Sequence, residues 1–289
     1  MARVAVVTDS TASLTEELIR RHEIGVISLY VVFGGDRTVR ESDLTDSAAF
    51  FDELRTADKL PTTSQPSVGD FLSVYEPILA EGRDIVSLHI SGGLSGTPEA
   101  ARQAALALER DGKGGDRIRV IDSDSAAGGL GLVTLAAATA AERGLELDDV
   151  EATAREARRE LKMWFAVDTL EFLRRGGRIG AASAWIGSTL KVKPILTLER
   201  EMVPVERVRT SRRMLDRLVE YGRQRHESGA DAWAVQHINA PEQCDLLVER
   251  CREVFGCEPQ LVSEIGPVLG AHVGPGLLGL GSIPARFTD

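Results

Sequence analysis

Three segments of this chain are rich in glycine and hydroxyl groups: Thr62-Thr63-Ser64-Gln65-Pro66-Ser67, Ser91-Gly92-Gly93-Leu94-Ser95-Gly96-Thr97-Pro98, and the Gly266–Gly276 stretch that contains His272. They offer hydroxyls, backbone N–H groups and one imidazole. That set suits holding an anion better than breaking a bond. The second segment shows why, because the apolar run Ile85–Ile90 reads as a buried strand and Thr97-Pro98 as a helix N-cap and first position. A helix beginning there leaves its first amides unpaired and its dipole positive outward, so a carboxylate or phosphate could dock beside the Ser95 hydroxyl.

Other chemistries fare worse. A nicotinamide site needs G-x-G-x-x-G after the first strand, but Thr8-Asp9-Ser10-Thr11-Ala12-Ser13-Leu14 stands there, and no G-x-x-x-x-G-K-[ST] occurs. Gly93-Leu94-Ser95-Gly96-Thr97 resembles a nucleophile elbow with Thr97 in the last glycine position. A serine hydrolase or acyltransferase would therefore use Ser95 with His272 and take Asp9 or Asp122 as third member. Cys244, Cys251 and Cys257 are spaced by seven and six, which gives no metal or redox signature, and no metal site is expected. The net charge of −10 disfavours nucleic acid as the main partner. Between Arg155 and Arg217, however, 15 Lys and Arg face 8 Asp and Glu, a local +7 that can receive an anionic ligand or partner.

These residues must be held by elements. In the first half, apolar β-rich runs near residues 3–8, 24–32, 85–90 and 117–121 alternate with helical periodicity, which predicts a parallel sheet flanked by helices. Ser13 with Glu16, and Ser67 with Asp70, read as helix-start capping patterns. Ligands sit beyond the carboxyl ends of strands in such sheets, where Thr8-Asp9-Ser10, the Ser91–Thr97 loop and Asp122-Ser123 would gather. The second half has strand candidates at 163–167, 194–198, 203–207, 232–238 and 260–264, with helices over 210–227 and 240–255. The short turn Glu199-Arg200-Glu201 between two of those strands predicts a mixed sheet. The expected division is 1–159 and 160–289, with a pocket in the cleft between two closely packed α/β domains. Ser125–Ala141, rich in Ala and Gly, is shorter than the roughly 20 apolar residues of a membrane span and reads as a buried helix. With a first strand beginning at once and no signal-peptide pattern, the expected compartment is the cytoplasm.

Thr8-Asp9-Ser10-Thr11, Thr63-Ser64-Gln65-Pro66, Leu94-Ser95-Gly96-Thr97, Ile121-Asp122-Ser123, Arg174-Arg175-Gly176-Gly177-Arg178-Ile179, Lys191-Val192-Lys193-Pro194-Ile195 and Gly270-Ala271-His272 occur in that order along nearly the whole chain. Together they resemble the DegV family of bacterial fatty-acid-binding proteins. The resemblance implies two α/β domains with a long-chain fatty acid buried between them. It also implies a carrier that is not an enzyme alone, needs no cofactor or metal, and presents the acyl carboxylate to a separate ATP-dependent fatty acid kinase for phospholipid synthesis. On that basis Thr63 and Ser95 match the carboxylate-binding hydroxyls and His272 the histidine beside them. Arg178 matches a pocket arginine and Arg209 one that engages the kinase, with Asp9, Ser10, Ser64, Gly96 and Thr97 in supporting loops. Gly92 stands where many relatives carry a second serine, and Thr62 where lysine is common. For the acyl chain the candidates are the Ala181–Leu190 helix, with Trp185 and Ile186, and the Gly276–Leu280 tail.

Overall fold

In the computed structural model, which describes residues 3–34, 37–57, 59–186 and 192–289, the chain opens with β1 (Val4–Asp9), α1 (Glu16–Arg21), β2 (Gly25–Ile27), β3 (Tyr30–Val32), β4 (Thr38–Arg40), α2 (Ser47–Thr56) and β5 (Thr62–Ser64). It continues through α3 (Val68–Ala80), β6 (Asp84–His89), α4 (Thr97–Arg110), β7 (Ile118–Asp122), α5 (Ala127–Glu142) and α6 (Leu147–Glu160). The remainder is β8 (Lys162–Ala166), α7 (Glu171–Arg175), β9 (Lys193–Glu199), β10 (Glu201–Val208), α8 (Ser211–Glu227), β11 (Ala232–His237), α9 (Pro241–Phe255), β12 (Leu261–Glu264), α10 (Pro267–Val273) and β13 (Leu278–Ile283).

The strands near 3–8, 85–90 and 117–121, together with β2, form a four-stranded parallel sheet in the order β2-β1-β6-β7. The second half forms a six-stranded mixed sheet in the order β10-β9-β8-β13-β11-β12, antiparallel except where β11 meets β12. The fold is therefore the expected mixed α/β arrangement of a parallel and a mixed sheet. Arg200, at φ 70°, turns β9 into β10.

Between the two sheets lies α5. Its Ala and Gly residues let backbones approach on every side, and of its 16 residues only Thr139 and Glu142 are not buried. Val4, Val6 and Leu88 of the parallel sheet and Ala232, Ala234 and Ile283 of the mixed sheet pack into one core with it. No described helix is long and apolar enough to cross a membrane.

Three local readings need correction. The 24–32 run splits: β2 joins the parallel sheet, while β3 pairs with β4 and β5 in a separate three-stranded antiparallel sheet. Ser13 does not start α1; it ends the short 3-10 turn Ser10–Ala12 at φ 49°, and Thr15 is the N-cap, its Oγ1 accepting from Leu18 N. Freed from that role, the Ser13 hydroxyl accepts from Gly266 N, and its carbonyl accepts from Ser263 Oγ, tying the first half to the second. Finally, the proposed tail Gly276–Leu280 enters β13, which pairs with β8 on one side and β11 on the other. The capping box at Ser67 and Asp70 holds, with both reciprocal bonds formed.

Candidate functional site

The carboxyl ends of the parallel strands do converge, but mainly on one another. Asp9, fully buried, accepts from Ile90 N at 2.9 Å, from Thr11, and pairs with His89 Nδ1 at 3.1 Å. Asp122 accepts from Gly92 N and Asp124 N. A Cβ at residue 92 would lie 2.5 Å from Asp122 Oδ2, so the glycine permits this carboxylate-to-turn contact. Gly93 is likewise pressed under the Arg200 carbonyl, which also accepts from Ser91 Oγ at 2.7 Å. Neither Asp9 nor Asp122 serves His272, so the Ser95–His272–Asp grouping of a hydrolase does not assemble.

What assembles instead is a cavity of about 340 Å³ whose wall includes Thr63, Ser64, Ser95, Gly96, Arg178 and His272. Strand pairing of β5 to β3 places Thr63 opposite Val31. Helix α10 supplies His272, whose Nε2 is 2.7 Å from Thr63 Oγ1. The other ring nitrogen is buried against the Gly176 backbone, where a Cβ would come within 2.5 Å of it. Burial, then the positive charge of Arg178, lowers the His272 pKa to about 4, with the Gly176 backbone offsetting this only in part. The ring is neutral at pH 7. If Nε2–H donates to Thr63 Oγ1, the threonine proton is free for a guest oxygen, and an anionic guest selects that arrangement.

Ser95 joins Thr63 in the wall from the turn before α4. Its Oγ lies 2.8 Å from Thr97 Oγ1 and accepts weakly from Thr97 N at 3.4 Å. The helix N-cap is Gly96 rather than Thr97, and Pro98 follows within the first turn. Most of the amides expected to hold an anion are spent: Leu94 and Ser95 N–H bond the Ser91 carbonyl, and Gly93 N bonds Ser91 Oγ. Gly96 N–H is the one amide of the turn left without a partner among the described residues. The polar groups of this wall are therefore mainly hydroxyls.

Arg178 crosses from the second half, donating to the Leu94 and Gly176 carbonyls, and is the one positive side chain of the mouth among the described residues. No acidic residue lines the mouth among the described residues. Arg209 is not in the wall: it follows the far end of β10, on the order of 20 Å along that strand from Met202, which is. Ser10 is also absent from the wall; its hydroxyl accepts from Leu29 N, itself a wall residue.

An apolar arm, a separate cavity, adjoins the mouth. It shares Met202, Leu269 and Val273 with the mouth and extends between Phe165, Ala127 and Gly279, enclosing about 50 Å³. Of the tail, Leu277 and Gly279 line it, whereas Leu280 borders it with its side chain turned to the core under α8. Trp185 and Ile186 do not line it: Trp185 stacks under Arg207 at 5.0 Å and Ile186 is 48% exposed. The structure shows a 3-10 helix over Gly180–Trp185, and residues 187–190 of the expected helix, with Lys191, lie outside the described residues. Met202, Leu269 and Gln236 were not anticipated; single apolar residues in strands carry no mark of which face holds a cavity.

A parallel and a mixed sheet joined through a small-residue helix, with a hydroxyl-lined mouth and an apolar arm that share wall residues, define a two-sheet α/β protein. The family model described as "Uncharacterised protein, DegV family" matches residues 3–285, and the chain belongs to that family. It is 41% identical to a DegV domain-containing protein of Streptomyces coelicolor over 96% of this chain and 97% of that one. A DegV family protein from Thermus thermophilus, whose structure is described by its fatty acid binding, superposes with a TM-score of 0.86 at 35% identity, covering 98% of this chain and all of that one (100%). DegV of Bacillus subtilis, described as a fatty acid binding protein, gives a TM-score of 0.85 at 33% identity over 98% of this chain and 100% of that one.

Proposed function

We propose that this protein binds a long-chain fatty acid and is a carrier, not an enzyme on its own. The observation that carries the reading is a polar mouth set beside an apolar arm, with Met202, Leu269 and Val273 in the walls of both. Thr63 and Ser95 hold the carboxylate, Gly96 N–H and Arg178 assist, and neutral His272 fixes the Thr63 hydroxyl. The acyl chain contributes affinity at about 0.8 kcal/mol per buried CH₂. The segments 1–159 and 160–289 act as two domains that close over the chain. Unbranched Met163 and Met202 are the wall side chains best suited to yield to it.

In this reading the held carboxylate faces a partner, an ATP-dependent fatty acid kinase, toward which Arg209 is a docking contact. A carboxylate oxygen attacks the γ-phosphorus, the bond to the β-phosphate oxygen breaks, and acyl phosphate and ADP result. Acyl phosphate would then feed phospholipid synthesis, with the protein acting in the cytoplasm.

Mass spectrometry of organic extracts from the natively purified protein tests the ligand, beside a Thr63→Ala/Ser95→Ala double variant. Each hydroxyl donates to a charged group, so its loss should weaken fatty acid binding about tenfold or more. Stoichiometric long-chain acid in the wild type alone supports the assignment. Equal retention in both removes the carboxylate site, and a folded wild type unable to take up any added fatty acid removes the carrier reading.

A further inference from the structure

The apolar arm contains one polar side chain among its described wall residues, Gln236 of β11. It is 3% exposed, in a row with Ala232 and Ala234 on the face that packs toward α5. Its amide orientation is fixed by chemistry: Nε2 donates to Ser263 Oγ at 2.7 Å and to the Ser13 and Ala12 carbonyls at 3.3 and 3.4 Å, and carbonyls only accept. The other end of the amide, Oε1, is buried with no partner and lies 3.1 Å from where a Gly128 Cβ would be.

Facing it is the start of α5, a helix of 16 residues with Ala126 at the N-cap and no side-chain cap. Gly129 N and Leu130 N turn back to the Ala126 carbonyl, whereas the N–H groups of Ala127 and Gly128 have no partner among the described residues. Residues Ala126 to Gly129 all line the arm. A bare acceptor and bare donors thus border the same apolar arm beside Gly128, where unpaired polar groups are costly.

We propose that this spot recognises a hydroxyl on the acyl chain, so that the preferred ligand is a hydroxylated long-chain fatty acid. A hydroxyl donates to Gln236 Oε1 while accepting from an α5 amide, satisfying both. A keto group has no proton for Oε1, and a charged group would be stranded in the apolar arm. The inference rests on the carrier reading and adds Gln236 to it as a specificity-determining residue.

The test is the affinity of delipidated protein for stearic acid and for a series of monohydroxystearic acids with the hydroxyl moved along the chain. One position, or two adjacent ones, should bind at least as tightly as stearic acid, while the others bind about tenfold more weakly or worse. Gln236→Met should cost the favoured isomer about tenfold more than it costs stearic acid. Ser263→Ala loosens the amide clasp but leaves Oε1 in place, so it should keep the preference. Stearic acid bound with every isomer weaker overturns the hydroxyl site alone. So does an equal loss for all acids in both variants, or a water bonded to Oε1 and the α5 amides in a crystal structure of the stearate complex. Failure to bind any acid, plain or hydroxylated, overturns the carrier reading and this inference with it.

Discussion

Two titratable side chains touch α10, and burial moves them in opposite directions. Glu41 accepts from Val268 N at 2.8 Å, and burial raises its pKa to about 7, with Ser10 and Val268 offsetting this only in part. His272, near the other end of the helix, is lowered to about 4 by burial and then by Arg178. For His272 the unfolded chain, with an ordinary pKa near 6.5, takes up a proton between about pH 6.5 and 4 that the folded ring refuses. Its contribution to stability is therefore full above about pH 6.5 and is lost as pH falls toward 4, at no more than about 1.4 kcal/mol per pH unit. Glu41 has the reverse slope: the folded protein keeps a proton that the unfolded chain releases, so stability declines as pH rises from about 4.5 to 7. The two partly cancel in the wild type. His272→Gln, which keeps an amide to meet Thr63 but cannot titrate, should expose the Glu41 slope and lose less stability than wild type between pH 6.5 and 4.5. Urea midpoints at both pH values check this, and parallel changes in the two proteins would mean that His272 does not titrate on unfolding.

Elements with regular apolar patterning were readable from sequence, and the strand that shapes the arm was not. In β13, Leu278 and Leu280 join the core beneath α8 and α9, while Gly279 and Gly281 occupy the alternate positions that line the arm. Glycine is depleted in strands, so the feature that keeps the tunnel open also erased the strand's signature. A Cβ at Gly279 would come 3.2 Å from Phe165 Cβ, and anything larger must enter the arm. Gly279→Val should therefore leave a folded protein, destabilised by about 1–3 kcal/mol, that favours shorter acids than wild type. A chain-length series of affinities reads this out; an unchanged optimum would place the acyl chain elsewhere. The small β4-β3-β5 sheet was missed for a different reason. Its strands are three residues each, and Thr62-Thr63-Ser64 reads as a polar loop until Val31 pairs with it. Ser13 misled because its pattern with Glu16 is local, whereas its partners, Ser263 and Gly266, lie some 250 residues away. Thr63, Ser95 and His272 were legible as residues of interest, but the 2.7 Å contact between Thr63 and His272 spans 209 positions and has no sequence trace.

Across the whole molecule the two halves are joined where the cavity is. Gln236, Ser263 and Gly266 reach Ala12 and Ser13, Ser91 bonds the Arg200 carbonyl, and Arg178 bonds Leu94. Mouth and arm draw walls from both sides of that joint, with Thr63 and Ser95 from one and His272 and Met202 from the other. A guest in the cavity contacts both halves at once, and the unfolded chain offers it no equivalent site. Bound fatty acid should then stabilise the fold by mass action, by about 2.7 kcal/mol when free ligand is a hundredfold above its Kd. For a chain of this size that corresponds to a rise in Tm on the order of 5 °C. Differential scanning of delipidated and reloaded protein checks it, and the Thr63→Ala/Ser95→Ala variant should show a smaller rise at the same ligand concentration because its Kd is higher. Coincident transitions of delipidated and reloaded wild type, with acid confirmed in the reloaded sample, would mean that the lipid is carried on the surface and that the cavity joining the two halves is not its site.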